Sequence, residues 1–440
     1  MMDYFSFIES IIKNGKKRDE PLKGLKVVEV THFIFGPNVG RILAQFGAEV
    51  VKIETPGEGE RFRIGAVFGR FYKKCNLVYG IVNANKYFIA ADARNAKARE
   101  IIFELVRRAD VFIENLRAGL ADAMGIGYLQ VRKVNPKIIY LSCSGYGQYG
   151  PLSKAPSFDV AAQGVSSVAL KTGWEDVDEF YKLPDYFGDY LPSMIAVFAV
   201  LSALYYREKT GKGQYIDVSQ TECLLRFLYD LTYYSLTGEE IGKTGNIDPT
   251  ASPSGIFKTA DGKFVAIAVL TEKQFKALAE LIEGLENEDR LKKERIKELN
   301  EKVEKWVANH SLEELLEIAK KKGIPISPVL NDVEIFEDPW RWERGSIVKV
   351  KDRLIGEVPV PGPFAVMSAT PGKIKWIARP VGYHNRLILK KWLGLSDEEI
   401  EKLEKEGVIG YWDEMPGMAP PPTWKKEDDP IFKGEKDEPG

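Results

Sequence analysis

Gly188-Asp189 stands just ahead of the apolar run Met194 to Tyr206 and the turn Lys209-Thr210-Gly211-Lys212-Gly213-Gln214. Glycine adds no side chain, so an acid beside it, where a strand or loop feeds a hydrophobic helix, can meet a bulky reactant at close range. That arrangement suits a nucleophile. The same residues also fit an acid that only caps the following helix, since acids near helix starts are common. Other catalytic groups are sparse. The three histidines, His32, His310 and His384, are scattered, and the three cysteines, Cys75, Cys143 and Cys223, form no CxxC pair. No metal site and no histidine-cluster mechanism is expected.

The elements that must hold this acid follow from periodicity. Leu25 to Val30 and Glu49 to Ile53 are apolar-rich runs, and Pro37 to Phe46 between them has helical spacing, which together make one βαβ length. Phe88 to Ala91, the amphipathic Ala96 to Arg108, Val111 to Glu114, Leu129 to Val134 and Ile138 to Cys143 continue the alternation. Ile101, Ile102, Leu105 and Val106 share one helical face. The pattern predicts an open, mostly parallel sheet wrapped by helices, with ligands outside the carboxyl ends of its strands. The loops there are Thr31 to Pro37, Asn115 to Gly119 and Ser144 to Gly147. No GxGxxG follows the first strand and no Walker lysine loop occurs, which disfavours nicotinamide dinucleotides and nucleotide hydrolysis. Phe33, Ile34 and Phe35 either face a flat ring or fill the core.

After Gly213 a strand, Tyr215 to Val218, leads into an apolar helix around Cys223 to Tyr234. Phe257 to Ala268 reads as a hairpin turning at Asp261-Gly262, and Glu272 to Ala319 as helical and charged. With 440 residues, 44% of them hydrophobic, there is room for two cores. A net charge of -2 with interspersed signs favours neither nucleic acid nor an anionic membrane. Glu286 to Lys305 alternates in sign as a solvated helix face does. Met194 to Tyr206 falls short of the ~20 apolar residues of a membrane span, so a buried helix is expected. Met1 to Lys17 lacks a signal-peptide pattern, and with unpaired cysteines the reading is cytoplasmic.

Read in order, Gly24 to His32, Gly36-Pro37, Leu43 to Glu54, Glu114-Asn115, Met124-Gly125, Asn135-Pro136 and Ser144 to Pro151 resemble the class III CoA-transferases of the CaiB/BaiF type. Gly188-Asp189, Thr210 to Gln214 and Gly382-Tyr383-His384-Asn385 extend the likeness from about residue 22 to 410. The resemblance implies an α/β protein, a large Rossmann-like open parallel-sheet domain with a smaller inserted α+β domain. It also implies a family-type interlocked dimer. The expected divisions are 20–236, the small domain 237–339, a return to the large domain over 340–410, and a C-terminal arm over 411–440.

By the same resemblance Asp189 is the family's catalytic aspartate. It attacks an acyl-CoA thioester to give a mixed anhydride, becomes an aspartyl-CoA thioester, and passes CoA to a free carboxylic acid through a second anhydride. Such chemistry needs near-attack positioning and exclusion of water. An ordinary aspartate pKa of about 3.9 would leave it ionised without a helper base. Coenzyme A is then expected along His32, Phe33, Ile34, Phe35, Asn115 and Leu116, with Lys52, Gly145 and Tyr146 also in the cofactor set. Thr55 and Ala123 stand where family members carry arginines, so Lys52, Arg70, Lys73, Lys74 or Arg117 are candidates to replace that charge.

Two other readings stay open. Alpha-methylacyl-CoA racemases carry a histidine before the aspartate of the motif that here reads Ser157-Phe158-Asp159-Val160, and a phenylalanine cannot exchange a proton. A CoA-binding partner subunit of a heteromeric transferase would not need Asp189. Expected partners are an acyl-CoA donor, a carboxylic acid acceptor, and a second copy or a related subunit. Trp174, Tyr181, Tyr186, Phe187 and Tyr190 point to an aromatic or hydrophobic acceptor exchanged against succinyl-CoA.

Overall fold

In the computed structural model, which describes residues 6, 9, 20–228, 230–285 and 289–439, the strands of the first half are β1 (Lys26–Val30), β2 (Glu49–Glu54), β3 (Lys86–Ala90), β4 (Val111–Glu114), β5 (Ile139–Ser144) and β6 (Gln214–Ser219). They form one sheet in the order β3-β2-β1-β4-β5-β6. Every pairing is parallel. The strand order reverses direction at β1 and β4, which leaves a crevice between their carboxyl ends.

The helices that cover the sheet are α1 (Phe35–Gln45), α2 (Leu77–Val82), α3 (Ala96–Arg108), α4 (Tyr128–Val134), α5 (Asp159–Val165), α6 (Phe187–Thr210) and α7 (Gln220–Leu225). Side chains alternate along each strand, so each face receives its own core. Val28, Phe112 and Tyr140 pack against Ile102, Leu105 and Val106 of α3 on one side. Val27, Ile113 and Leu141 pack against Val39 and Leu43 of α1 and Ala196 and Val200 of α6 on the other. Asn95 starts α3 by accepting from the N–H groups of Lys97 and Ala98.

The chain divides into two compact units, residues 1–166, 184–228 and 340–440 in one, 167–183 and 229–339 in the other. The second holds an antiparallel sheet of β7 (Ser254–Lys258), β8 (Phe264–Ala268) and β9 (Ile326–Pro328). The β7–β8 turn places Gly262 at φ +79°, the left-handed region that glycine occupies without cost. The helix α8 (Lys293–Val307) buries Ile296, Leu299, Val303 and Val307, and its charges face outward. Residues 286–288 of the alternating stretch, and Met1 to Lys17 apart from Ser6 and Glu9, lie outside the described residues.

Three expectations are revised. The helix expected around Cys223 to Tyr234 is two helices, α7 and Asp230–Thr237, one in each unit. Met194 to Tyr206 is only part of α6, which is long and apolar enough by composition to cross a membrane but packs one face on the sheet. Residues 411–439 are no free arm. Tyr411, Trp412, Trp424 and Phe432 stack on one another, Ile431 enters the core, and Glu438 is buried against Arg379. The mixed charge of this segment concealed its aromatic side chains.

Candidate active site

The crevice between β1 and β4 is closed by a reciprocal clamp. His32 N–H donates to Asn115 Oδ1 and Asn115 Nδ2 donates to the His32 carbonyl, both at 2.7 Å. Gly36 makes this approach possible, since a Cβ there would sit 2.9 Å from Asn115 and Thr31. Two buried acids hold the same loops. Glu60 accepts from Phe33 N–H at 3.2 Å and Phe62 N–H at 2.8 Å, and Glu114 accepts from Leu116 N–H at 2.7 Å. Burial is the main cause that pushes each of these carboxyls up to about 7. Burial first, then the Lys52 ammonium, holds the His32 imidazole down at about 4, so it is neutral at physiological pH.

Phe33 sits at φ +59°, strained for a residue with a side chain. Its ring meets Phe158 edge-on at 4.9 Å and lies 6.0 Å from Phe62, which in turn is 6.3 Å from Tyr186. Ile34 and Phe35 are buried in the core instead of facing the crevice. Lys52 is also interior. Its ammonium has no exposed surface and donates to the Thr31 carbonyl at 2.6 Å, to Thr31 Oγ1 at 3.0 Å and to Glu29 at 3.5 Å. Enclosed in this way it ties β2 to β1, out of reach of a phosphate. Gly145 gives room for Ser157, whose Cβ would lie 2.1 Å from a Cβ at 145, and its carbonyl accepts from Thr221. Tyr146 is half-buried beside it.

Asp189 lies inside the first turn of α6, and Tyr186, the residue before that helix, supplies no side-chain cap. The acid therefore does not cap the helix. Asp185 and Tyr186 both have positive φ, +53° and +59°, so the chain enters α6 through a tight left-handed corner. Gly188 N–H donates to Asp159 Oδ1 at 2.7 Å, and a Cβ at 188 would come within 2.9 Å of that oxygen. Gln163 donates to the same oxygen at 2.9 Å. Ser193 Oγ donates within 2.8 Å to the Phe35 and Asp189 carbonyls, joining α6 to the start of α1.

Asp189 is 8% exposed, and Gln220 Nε2 donates to its Oδ1 at 2.6 Å. Burial, reinforced by the negative charge of Asp159 and opposed by the Gln220 hydrogen bond, pushes it up to about 7. This corrects the expectation of an ordinary aspartate. Gln220 was not among the residues read from sequence. The signal available was Ser219-Gln220-Thr221-Glu222 at the carboxyl end of a strand, where Ser219 Oγ caps α7 by accepting from Glu222 N–H.

A cavity of about 450 Å³ opens on the α3 side of the sheet, lined by Glu114, Gly119, Tyr128, Tyr140 and Tyr215. Asp189 is on the α6 side, so this space is not where that carboxylate acts. The other histidines are engaged elsewhere. His384 Nδ1 accepts from Phe88 N–H and Nε2 faces Glu438, while His310 belongs to the second unit. Trp174, Tyr181 and residues 250–257 also belong to the second unit.

The open parallel sheet, with its strand order reversing at β1 and β4, defines an α/β protein of the doubly wound kind. The model of CoA-transferase family III matches residues 22–385, and the chain belongs to that family. It is 31% identical to the succinyl-CoA–D-citramalate CoA-transferase of Chloroflexus aurantiacus over 405 residues, 90% of this chain and all of that one. It is equally 31% identical to the alpha subunit of succinyl-CoA–L-malate CoA-transferase of the same organism, over 88% of this chain and 92% of the relative. The crystal structure of a CaiB/BaiF family protein from Brucella suis superposes with a TM-score of 0.74 at 29% identity, covering 85% of this chain and the whole of that one. The chain is thus an enzyme of the CoA-transferase class, which uses CoA thioesters as co-substrates.

Proposed function

We propose that this enzyme moves CoA from an acyl-CoA to a free carboxylic acid through an anhydride and an aspartyl-CoA thioester on Asp189. The observation that carries the reading is a buried carboxylate that forms no ion pair among the described residues and is held at one oxygen by a neutral amide. Such a group is desolvated and poised to ionise near neutral pH, which favours attack on a carbonyl carbon. The covalent route keeps the activated acyl group from water throughout.

CoA is assigned to the crevice along His32, Phe33, Asn115, Leu116, Gly145 and Tyr146. Lys52 is left out because its ammonium is enclosed. Lys73 gives its ammonium to the Ile355 carbonyl at 2.7 Å, so Arg117, exposed at the crevice, is the cation proposed for a phosphate. Succinyl-CoA is the proposed donor, as the names of the relatives suggest. A cytoplasmic location is proposed from the three free cysteines.

A dimer is proposed as well. The outer face of α6 carries Met194, Phe198, Leu201 and Tyr205 at helical spacing, with Phe198 73% and Tyr205 60% exposed. A stripe of this kind is costly in water and is matched by a second copy or a related subunit. The heteromeric reading is favoured by the relative that is an alpha subunit.

The test is to mix the pure protein with succinyl-CoA and trap with hydroxylamine or borohydride, using acceptor panels of dicarboxylic and aromatic acids. A covalent product mapped to Asp189, with CoA transferred to an acid, is expected. Alpha-proton exchange without an adduct would favour racemisation, and no reaction would favour a partner subunit. Light scattering after size exclusion measures the oligomeric state.

A further inference from the structure

We infer that Gln220 is the oxyanion donor of this enzyme, acting on the steps in which the carboxyl carbon of Asp189 itself is attacked. The inference rests on Asp189 as the covalent nucleophile. Gln220 is 4% exposed, and its nitrogen lies 2.6 Å from Asp189 Oδ1 and 3.1 Å from the Gly188 carbonyl. Both neighbours are acceptors, so the amide nitrogen must face them. Its oxygen turns the other way, accepting from Ser157 Oγ at 3.4 Å. Gly145 leaves the space for that contact, since a Cβ there would stand 2.4 Å from Ser157 Oγ. The cap from Ser219 fixes the start of α7, so the amide is held before any substrate arrives.

The chemistry gives this placement its consequence. In the first step Asp189 Oδ2 attacks the thioester carbonyl carbon, the C–S bond breaks, and sulfur leaves as thiolate. Oδ1 stays behind as a carbonyl oxygen. In the second step the thiolate attacks Asp189 Cγ, the carbonyl electron pair moves onto Oδ1, and it returns as the acyl carboxylate leaves. In the third an incoming carboxylate attacks Cγ of the aspartyl thioester, and Oδ1 again takes the charge before the thiolate departs. In the fourth the thiolate attacks the carbonyl carbon of the new acid and Asp189 is released as carboxylate. Charge therefore develops on Oδ1 in the second and third steps, at the atom Gln220 already touches. Most oxyanion donors address a substrate carbonyl; here the electrophile is the enzyme's own side chain, so the donor is built against that side chain. An arginine or lysine in this place would pair with the resting carboxylate and blunt it as a nucleophile. A neutral amide holds the oxygen without that pairing.

The experiment compares Gln220→Met, similar in volume but without the N–H, and Gln220→Glu with the parent enzyme. Expected for Gln220→Met is a kcat lower by about 10²–10³-fold, with KM for the acyl-CoA within about twofold. Intact-mass spectrometry after mixing with acyl-CoA should show an acyl adduct accumulating in place of the CoA adduct. Gln220→Glu should narrow its rate deficit against the parent, both measured at the same pH, as pH falls, because only its protonated form donates. A parent-like kcat, or a CoA adduct forming at the parent rate in Gln220→Met, overturns the proposal. If Gln220→Met does not fold, a Gln220→Glu rate whose ratio to the parent rate does not improve as pH falls overturns it instead. Asp189→Asn run in parallel separates the two levels: turnover there defeats the covalent reading itself, whereas an inactive Asp189→Asn beside a normal Gln220→Met defeats only the role of Gln220.

Discussion

The buried acids of the first unit differ in what balances them. Glu54 takes a two-pronged grip from Arg63, at 2.8 and 2.7 Å, and the hydroxyl of Tyr79. Glu438 is held by Arg379 and faces His384, and Glu29 lies between Lys52 and Lys86. Burial alone would raise Glu54 and Glu438. The guanidinium groups of Arg63 and Arg379 overcome it, holding Glu54 below its usual range and Glu438 at about 2. Asp189 is buried to a similar degree but meets an amide and a second acid, and it is pushed up to about 7. A carboxylate locked to a guanidinium has spent its basicity on structure. One held by neutral donors keeps it for chemistry.

The largest effect separating the two groups is expected at Asp189. Asp189→Asn should lower kcat on the order of 10⁴-fold or more, read by transfer of CoA to an acid acceptor. The same change should stabilise the fold at high pH. Burial pushes the folded Asp189 carboxyl up to about 7, against about 3.9 for an ordinary aspartate, so the folded chain binds more protons between those values. Stability therefore falls as pH rises through that window, by up to about 1.4 kcal/mol per pH unit, and asparagine removes the loss. Asp189→Asn should melt above the parent at pH 8 and with it near pH 4.

Glu438 should behave in the opposite way. Glu438→Gln leaves Arg379 with Asp352 but without half of its buried counter-charge, and breaking a buried pair costs about 3–5 kcal/mol. Urea unfolding should show that loss, with transfer activity per folded molecule unchanged. The smaller clamp across the crevice comes next. Asn115→Ala removes two hydrogen bonds to the His32 backbone, each worth about 1 kcal/mol. KM for the acyl-CoA should rise roughly tenfold with kcat much less affected.

Sequence patterning reached the sheet because its strands are buried on both faces and read as apolar runs; Leu25 to Val30 becomes Lys26–Val30, and Ala96 to Arg108 matches α3 to the residue. It stopped short at the start of α6. Gly188-Asp189 reads as a strand or loop ahead of the apolar run from Met194, yet the packing of Gly188 on Asp159 and the Ser193 hydrogen bonds carry the helix back to Phe187. Phe33, Ile34 and Phe35 were indistinguishable as a triplet, because which ring faces a crevice is decided by the left-handed backbone at Phe33. Lys52 was misread for a related reason, since a strand residue's depth depends on its neighbours and Glu29 and Thr31 draw its ammonium inward. Gln220 was hidden by distance along the chain. It meets Asp189 only because β6 returns the chain beside the start of α6, and the raised pKa of Asp189 follows from that enclosure.

The smallest effect sharpens the comparison most, because it changes the charge near Asp189 and leaves its burial intact. Asp159→Asn keeps an oxygen for the Gly188 N–H and removes the second-largest influence raising the Asp189 carboxyl. Only ionised Asp189 attacks a thioester, so in the parent kcat/KM should climb about tenfold per pH unit below pH 7 and level off above it. In Asp159→Asn that limb should move to lower pH, by less than burial had raised it, and the plateau rate should stay near the parent's. In Gln220→Met the limb should move to higher pH, since that amide favours the ionised form. Opposite displacements from two residues that touch the same turn would show that the acid's protonation is set locally by Asp159 and Gln220. A limb that stays in place in both variants would mean that another group governs the profile.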